Sequence, residues 1–261
     1  NYQAGNIEFQ YRVSTDGSTW SNWTSYNDGG LMFDGVDDYV SLGDNDEFDA
    51  LTEFSTCAWV KHDSLTDDDH ILSKVDSSTW SGFMFTMDDV GQETGRTDMY
   101  KVWVSKDTNA KWIESATNSS VQGVWTHVCT TFKADDATGL RLYINGVEDA
   151  NSPVSTVGLT TFDSGSTNLV IGRYDPTTAN YFNGAMDNIQ LYSRVLTSSE
   201  IVSNYNMVDS ETPYSTTDLT AFWNFNETSG TTATNSGIGA TAWDGTLTSF
   251  SDTSGKDVLT N

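Results

Sequence analysis

The chain has 261 residues, room for one large β domain or two small ones and enough to bury a sizeable core. Twelve basic residues against 37 acidic ones give a formal net charge of −25, which excludes a nucleic-acid binder and argues against docking on anionic lipid, since both need a positive face. Aromatic residues make up 12% of the chain, too many for disorder, and no apolar run approaches the ~18 residues of a membrane span.

The elements follow with a period of two almost throughout. Residues 7–13 alternate apolar and polar, and Asp16-Gly17 predicts a hairpin turn after them. A boundary falls near Asp28-Gly29-Gly30. Further alternating runs lie at 83–87, 100–104, 140–144 and 189–192, each rich in aromatic or β-branched residues. Asn145-Gly146 predicts a type I′ turn, because both positions accept positive φ. Residues 196–205 predict the one helix, with Thr197 as cap, Glu200 closing a capping box, and Ile201 and Tyr205 sharing a face. A polar stretch at 209–213 marks a second boundary, and residues 219–225 predict a further strand. Many short strands at regular spacing imply a sandwich or jelly roll.

Several blocks carry a resemblance. Residues 31–40, Leu-Met-Phe-Asp-Gly-Val-Asp-Asp-Tyr-Val, resemble the opening of laminin-G-like domains of the concanavalin A-like lectin/glucanase superfamily. Residues 54–61, the Trp125-Thr126-His127-Val128-Cys129 strand, the 142–146 hairpin and residues 182–189 with the helix are similar to later family blocks, in family order across 31–206. The resemblance implies an all-β fold, a two-sheet antiparallel jelly-roll sandwich with one short helix. One block departs from that order. The family's usual first strand resembles Phe222-Trp223-Asn224-Phe225-Asn226-Glu227, here near the C-terminus with Gly230 and residues 244–247 behind it. The expected organisation is therefore a β-hairpin at 1–30, ending a preceding module or extending an edge. A laminin-G-like jelly roll follows at 31–208. A linker and a strand at 209–261 then close the sandwich or begin a next repeat. Unpaired, Phe222, Trp223 and Phe225 would expose a large apolar patch, which favours closure.

The resemblance also implies a structural calcium on the convex side, where a closing-strand Asp meets the opening strand. Asp187 matches that Asp, and Asn226 and Glu227 match the opening strand, while Asp34 and Asp37 sit close together beside Asp38 as further oxygen donors. Asp67, Asp68, Asp69 and His70, with Asp88-Asp89, form acidic loop clusters at the rim of the family's concave face. Sugar rings stack on aromatic faces, so Trp80, Trp103, Trp112, Arg173 and Tyr174, with Asp68 and Asp69, are the candidate ligand contacts, and Tyr181 lies near them in sequence. Trp103 alternates with Lys101 and Ser105, which places it on a wet face. Cys57 and Cys129 stand where the family has small residues in its strands, so they are expected to touch across strands, with a bridge favoured in an exported protein.

Catalysis is not expected. Asp49 and Glu53 are spaced too widely for the paired carboxylates of the glucanase branch and fall in an acidic segment, 47–53, that reads as a solvated loop. No nucleophile elbow, phosphate loop or His-Glu-x-x-His occurs, and His127 sits mid-strand as a packed residue. Low Lys content with abundant Ser, Thr, Asn, Asp and Gly, and a start without a basic or apolar leader, read as a piece of a longer secreted or cell-surface protein. The leading reading is a non-catalytic carbohydrate- or surface-binding adhesion module with calcium as its cofactor. Its partners are a glycan or cell-surface ligand and flanking domains of the same chain, with no nucleic acid and no membrane insertion. The alternative is a structural spacer repeat in a cell-surface stalk, and a glycoside hydrolase ranks third.

Overall fold

The computed structural model describes residues 10–11, 24–25, 30–49, 51–65, 68–88, 98–116, 118–162, 165–174, 180–206, 213–227, 230–237 and 243–250. The predicted turn at Asp16-Gly17, the acidic residues Asp67 and Asp89, and most of the boundary at 209–213 lie outside these residues. In chain order the elements are β1 (Gln10–Tyr11), β2 (Thr24–Ser25), β3 (Leu31–Asp34), β4 (Tyr39–Ser41), α1 (Asp46–Asp49), β5 (Glu53–His62), β6 (Asp69–Asp76), β7 (Ser81–Asp88) and β8 (Met99–Lys106). There follow β9 (Asn109–Glu114), β10 (Thr126–Lys133), β11 (Leu140–Ile144), β12 (Val147–Glu148), β13 (Val170–Ile171), β14 (Asn183–Tyr192), α2 (Ser198–Tyr205), β15 (Leu219–Trp223), β16 (Thr232–Ala233) and β17 (Gly245–Thr248).

Two antiparallel sheets hold nearly all of this. One has seven strands in the order β12-β11-β10-β5-β14-β15, with β3 also paired to β14. The other has eight, in the order β16-β17-β4-β13-β6-β7-β8-β9, and β1 pairs with β2 alone. The fold is thus the expected all-β sandwich. The Asn145-Gly146 turn forms with φ of 51° and 77°, joining Ile144 to Val147.

The core follows from the alternation. Phe54, Ala58 and Val60 of β5 and Phe83, Phe85 and Met87 of β7 point inward and are buried. Phe54 meets Phe83 edge-on at 5.0 Å, and Phe48 meets Phe162 at 5.0 Å. Phe48 comes from α1, which corrects the expectation of one helix and of a solvated loop over 47–53. This short helix plugs one end of the core. Its Asp49 accepts from the fully buried Lys74 Nζ at 3.1 Å, which also binds Asp44 Oδ1 at 2.8 Å and the Thr167 carbonyl at 2.7 Å. A buried ammonium needs this ring of acceptors, so the acidic segment is structural.

The seven-stranded sheet is covered on its outer face too. There Cys57, Cys129, Tyr143, Tyr192 and Phe222 form a second apolar cluster with Leu196 and Ile201 of the α2 region. Thr197 caps α2 and Glu200 closes the capping box, as the sequence predicts. Arg194 Nη2 holds Glu200 Oε1 at 2.7 Å, and this bond leads the causes that press the Glu200 carboxyl down to about 2. Cys57 and Cys129 stand opposite each other on β5 and β10 and are bridged. The bridge spans 72 residues of sequence, a loop whose closure is worth about 4 kcal/mol in a chain-entropy account.

The tail completes both sheets. β15 pairs with β14 from Ile189–Trp223 to Tyr192–Leu219, and β17 pairs with β4 from Thr246–Ser41 to Thr248–Tyr39. Trp223 and Trp243 are buried, and Trp223 Nε1 donates to the Trp243 carbonyl at 2.9 Å. α2 lies on the seven-stranded sheet, and the site lies on the outward face of the other.

Candidate functional site

The open face is a ladder of side chains. Register aligns Ser73 of β6 with Met84 of β7, Met84 with Trp103 of β8, and Trp103 with Trp112 of β9. Residues two apart along a strand share a face, so the inward Phe83 and Phe85 force Met84 outward, and the inward Val102 and Val104 do the same for Trp103. Directly opposed aromatics on adjacent strands interact across the ladder. Next to this row Val75 faces Gly82, whose φ of +135° and close approach to the Lys74 carbonyl admit no side chain, leaving the floor bare there.

Two loops raise walls on this floor. Asp76 fixes the turn between β6 and β7: its Oδ1 accepts from Ser78 N at 2.8 Å and Ser78 Oγ at 2.7 Å, and its Oδ2 from Thr79 Oγ1 at 3.0 Å. These bonds, the side-chain bond from Ser78 first, hold the Asp76 carboxyl below its usual range. The turn ends on Trp80, a bulky residue at φ 55° that is 60% exposed. Tyr174 forms the other wall. It lies 5.1 Å from the His70 ring, half-buried, and burial pushes its phenol up.

Together Val75, Trp80, Met84, Lys101, Trp103, Trp112 and Tyr174 line a cleft of about 380 Å³, within the usual range for small-molecule sites. Trp112 is 52% exposed at its outer edge. Lys101 lies in the cleft wall, its Nζ 3.1 Å from Asp88 Oδ2 and 3.4 Å from Glu114 Oε1. His70 is buried beside it. Burial first, and the Lys101 charge second, push its pKa down to about 3, so it is neutral.

The structure therefore brings four of the expected ligand contacts, Trp80, Trp103, Trp112 and Tyr174, into one cleft. It places the other three elsewhere. Asp69 is buried, binding His62 Nδ1 at 2.7 Å and the Asn183 amide at 3.1 Å. Asp68 Oδ2 accepts from Asn180 Nδ2 at 3.5 Å, and Arg173 lies with its guanidinium 3.8 Å over the Tyr39 ring. Met84, Val75 and Lys101 were missed as lining residues. The alternation that singled out Trp103 was the signal for Lys101, and the alternation of 83–87 was the signal for Met84.

Of the five expected metal ligands, Asp34 stands apart from Asp187. Asp34, Asp37 and Asp38 cluster, but Asp34 Oδ1 accepts from the amides of Val36 and Asp37 at 2.8 and 3.2 Å, as an Asx turn does. Asp34 pairs with Asn183, four residues along β14 from Asp187, so about 13 Å separates them. Glu227 Oε1 accepts from the Thr234 amide, and Asn226 N donates to Asn224 Oδ1 at 3.4 Å. Asp187 stands in a gap of its own. The β3 ladder on β14 ends at Met186–Leu31, and the β15 ladder begins at Ile189–Trp223. In that gap Asn188 has φ 52°, its amide and Nδ2 donate to Asp187 at 2.7 and 3.0 Å, and its Oδ1 is buried without a hydrogen-bond partner among the described residues. Cys57, His127 and Cys129 also lie together, but the bridge consumes both thiols. His127 is packed as expected, with burial pushing its pKa down to about 3.

Two stacked antiparallel sheets with an aromatic cleft on the open one define a lectin-type β-sandwich. Residues 34–202 match the laminin G profile of the concanavalin A-like lectin/glucanases superfamily, and the chain belongs to that superfamily. A segment of 97 residues, 37% of this chain, is 33% identical to the human adhesion G-protein coupled receptor D1, and it spans about a tenth of that receptor. Among solved structures, the fold is similar to a candidate carbohydrate-binding protein of Bacteroides ovatus, at a TM-score of 0.61 and 19% identity over 84% of this chain and 57% of that one. It is also similar to a heptameric SAP-like pentraxin of Limulus polyphemus, at a TM-score of 0.52 and 17% identity over 70% of this chain and 84% of that one. No helix among the described residues is long and apolar enough to cross a membrane.

Proposed function

We propose that the protein is a non-catalytic carbohydrate-binding module of a secreted or cell-surface protein, with the sugar seated in the cleft of the eight-stranded sheet. One observation carries the reading: four aromatic rings from two strands and two loops converge on one open cleft. Apolar faces of sugar rings stack on such platforms while their hydroxyls reach the polar rim. Binding without hydrolysis is supported by the carboxylates beside the rings, Asp88 and Glu114, since both are engaged by Lys101. The relatedness to an adhesion receptor supports the extracellular setting.

Calcium is part of the proposal. The donor chemistry at Asp187 fits a hard cation: a carboxylate and the buried Asn188 Oδ1, which has no hydrogen-bond partner among the described residues, both oxygens, at the handover where neither β3 nor β15 pairs with β14. The β15 ladder on β14 ends at Ile189–Trp223, two residues from Asp187 and three before Asn226, and Asn226 is proposed as a further donor. Bound there, calcium would supply a cross-link between chain segments distant in sequence.

The cleft reading is tested on a glycan array with the wild type, Trp103→Ala and Trp112→Ala. Each variant is expected to weaken binding by about three- to tenfold, the worth of one lost stacking ring. Undiminished binding by both variants would place the ligand elsewhere.

A further inference from the structure

We infer that the cleft selects uncharged oligosaccharides and rejects their uronate counterparts, because its cation is neutralised from within. The inference rests on the cleft being a sugar site and concerns which sugars it takes.

Lys101 is the one cation among the described residues lining the cleft. It is flanked by two carboxylates, Asp88 at 3.1 Å and Glu114 at 3.4 Å, and the three side chains are almost wholly buried. One positive and two negative charges leave the group net negative. The groups facing it from the adjoining strand do not change that sum. Thr86 stands opposite Lys101 and is uncharged, and His70, opposite Thr86, is neutral because burial and Lys101 hold its pKa at about 3. The nearby Arg173 has its guanidinium over the Tyr39 ring.

Among the described residues lining the cleft, a ligand carboxylate entering here meets no positive charge but that of the paired Lys101. To pair with Lys101 it must displace Asp88 or Glu114 and leave that carboxylate buried without its counter-ion, a costly exchange. A neutral sugar asks for no such exchange. Its ring lies on Trp103 and Trp112. Exclusion is thus built from a repulsive element, as specificity often is.

The test arrays glucan, mannan and galactan oligosaccharides beside the C6-oxidised uronate forms of the same backbones. It is run at 0.15 M salt, where the field of distant surface charge is largely screened. On whichever backbone binds, the neutral form is expected to bind at least about tenfold more tightly than its uronate. Glu114→Gln, which keeps an acceptor for Lys101 but removes one negative charge, is expected to narrow that ratio with neutral binding retained. The wild-type ratio decides the matter even if this variant does not fold. Equal or tighter binding of uronates, lost in Trp103→Ala, overturns the inference and leaves the sugar site standing. Binding to neither form, or binding indifferent to Trp103→Ala, overturns the site reading and the inference with it.

Discussion

His70 and His127 sit where charge is least welcome, one under Tyr174 and one between Cys129 and the Trp59 and Tyr205 rings. Burial holds both near a pKa of about 3, against 6.5 for an unconstrained imidazole. Below about pH 6.5 the unfolded chain takes up protons at these positions and the folded chain does not. Their contribution is therefore complete above pH 6.5 and is lost as pH falls, at about 1.4 kcal/mol per pH unit for each histidine. Glu200, held down to about 2, adds its own loss only below the ordinary carboxylate range, so pH 5 to 6.5 isolates the histidines. Denaturant unfolding across that window is expected to show stability falling with pH, and His127→Phe to reduce the slope by about 1.4 kcal/mol per pH unit. An unaltered slope would mean that His127 is charged in the fold. At this scale the sequence was legible wherever alternation was strict, as at Trp103. It misled at Asp69, which an acidic loop pattern placed at the rim. The ladder there carries an irregularity between His70 and Leu72, which resets the faces of β6, and Asp69 turns inward to His62.

Among the elements, β14 carries the most consequence. One of its sides is shared, β3 covering its first half and β15 its second, with Asp187 and Asn188 at the handover. A cation at that point would bind the folded state alone and stabilise it by about 2.7 kcal/mol at a hundredfold excess over Kd. Millimolar calcium is accordingly expected to raise Tm. Magnesium should do so less because it demands tighter octahedral geometry, and Asp187→Ala should remove most of the gain. Equal gains in wild type and variant would locate the ion elsewhere, with the Asp34, Asp37 and Asp38 cluster the next position to test. The elements themselves were largely readable. The Asn145-Gly146 turn and the Thr197 capping box are local signals and formed as local chemistry requires. α1 was not readable, because four residues show no helical period. What fixes it is the tertiary contact of Phe48 with the core and of Asp49 with Lys74.

Across the whole molecule, the tail closes both sheets. Phe222, Trp223, Phe225 and Trp243 are buried, and their burial is worth roughly 2 kcal/mol or more per side chain. A chain ended after Asn206 would leave β14 and β4 with unpaired edges and open the core between them. Such a truncation is expected to be aggregated or to bind a hydrophobic dye strongly, whereas the full chain shows a cooperative transition. A truncated form with an unchanged Tm would mean that the tail only decorates the sandwich. The place of this strand could not be read from its own residues, which give a strand but not a partner. Its position depended on a register set by β14, about 30 residues earlier in the chain.

The Phe33 and Phe250 rings meet at 5.4 Å, although one lies in the first strand of the sandwich and the other just past the last. The two ends of the described sandwich thus lie against each other, and fraying of either one uncovers the ring of the other.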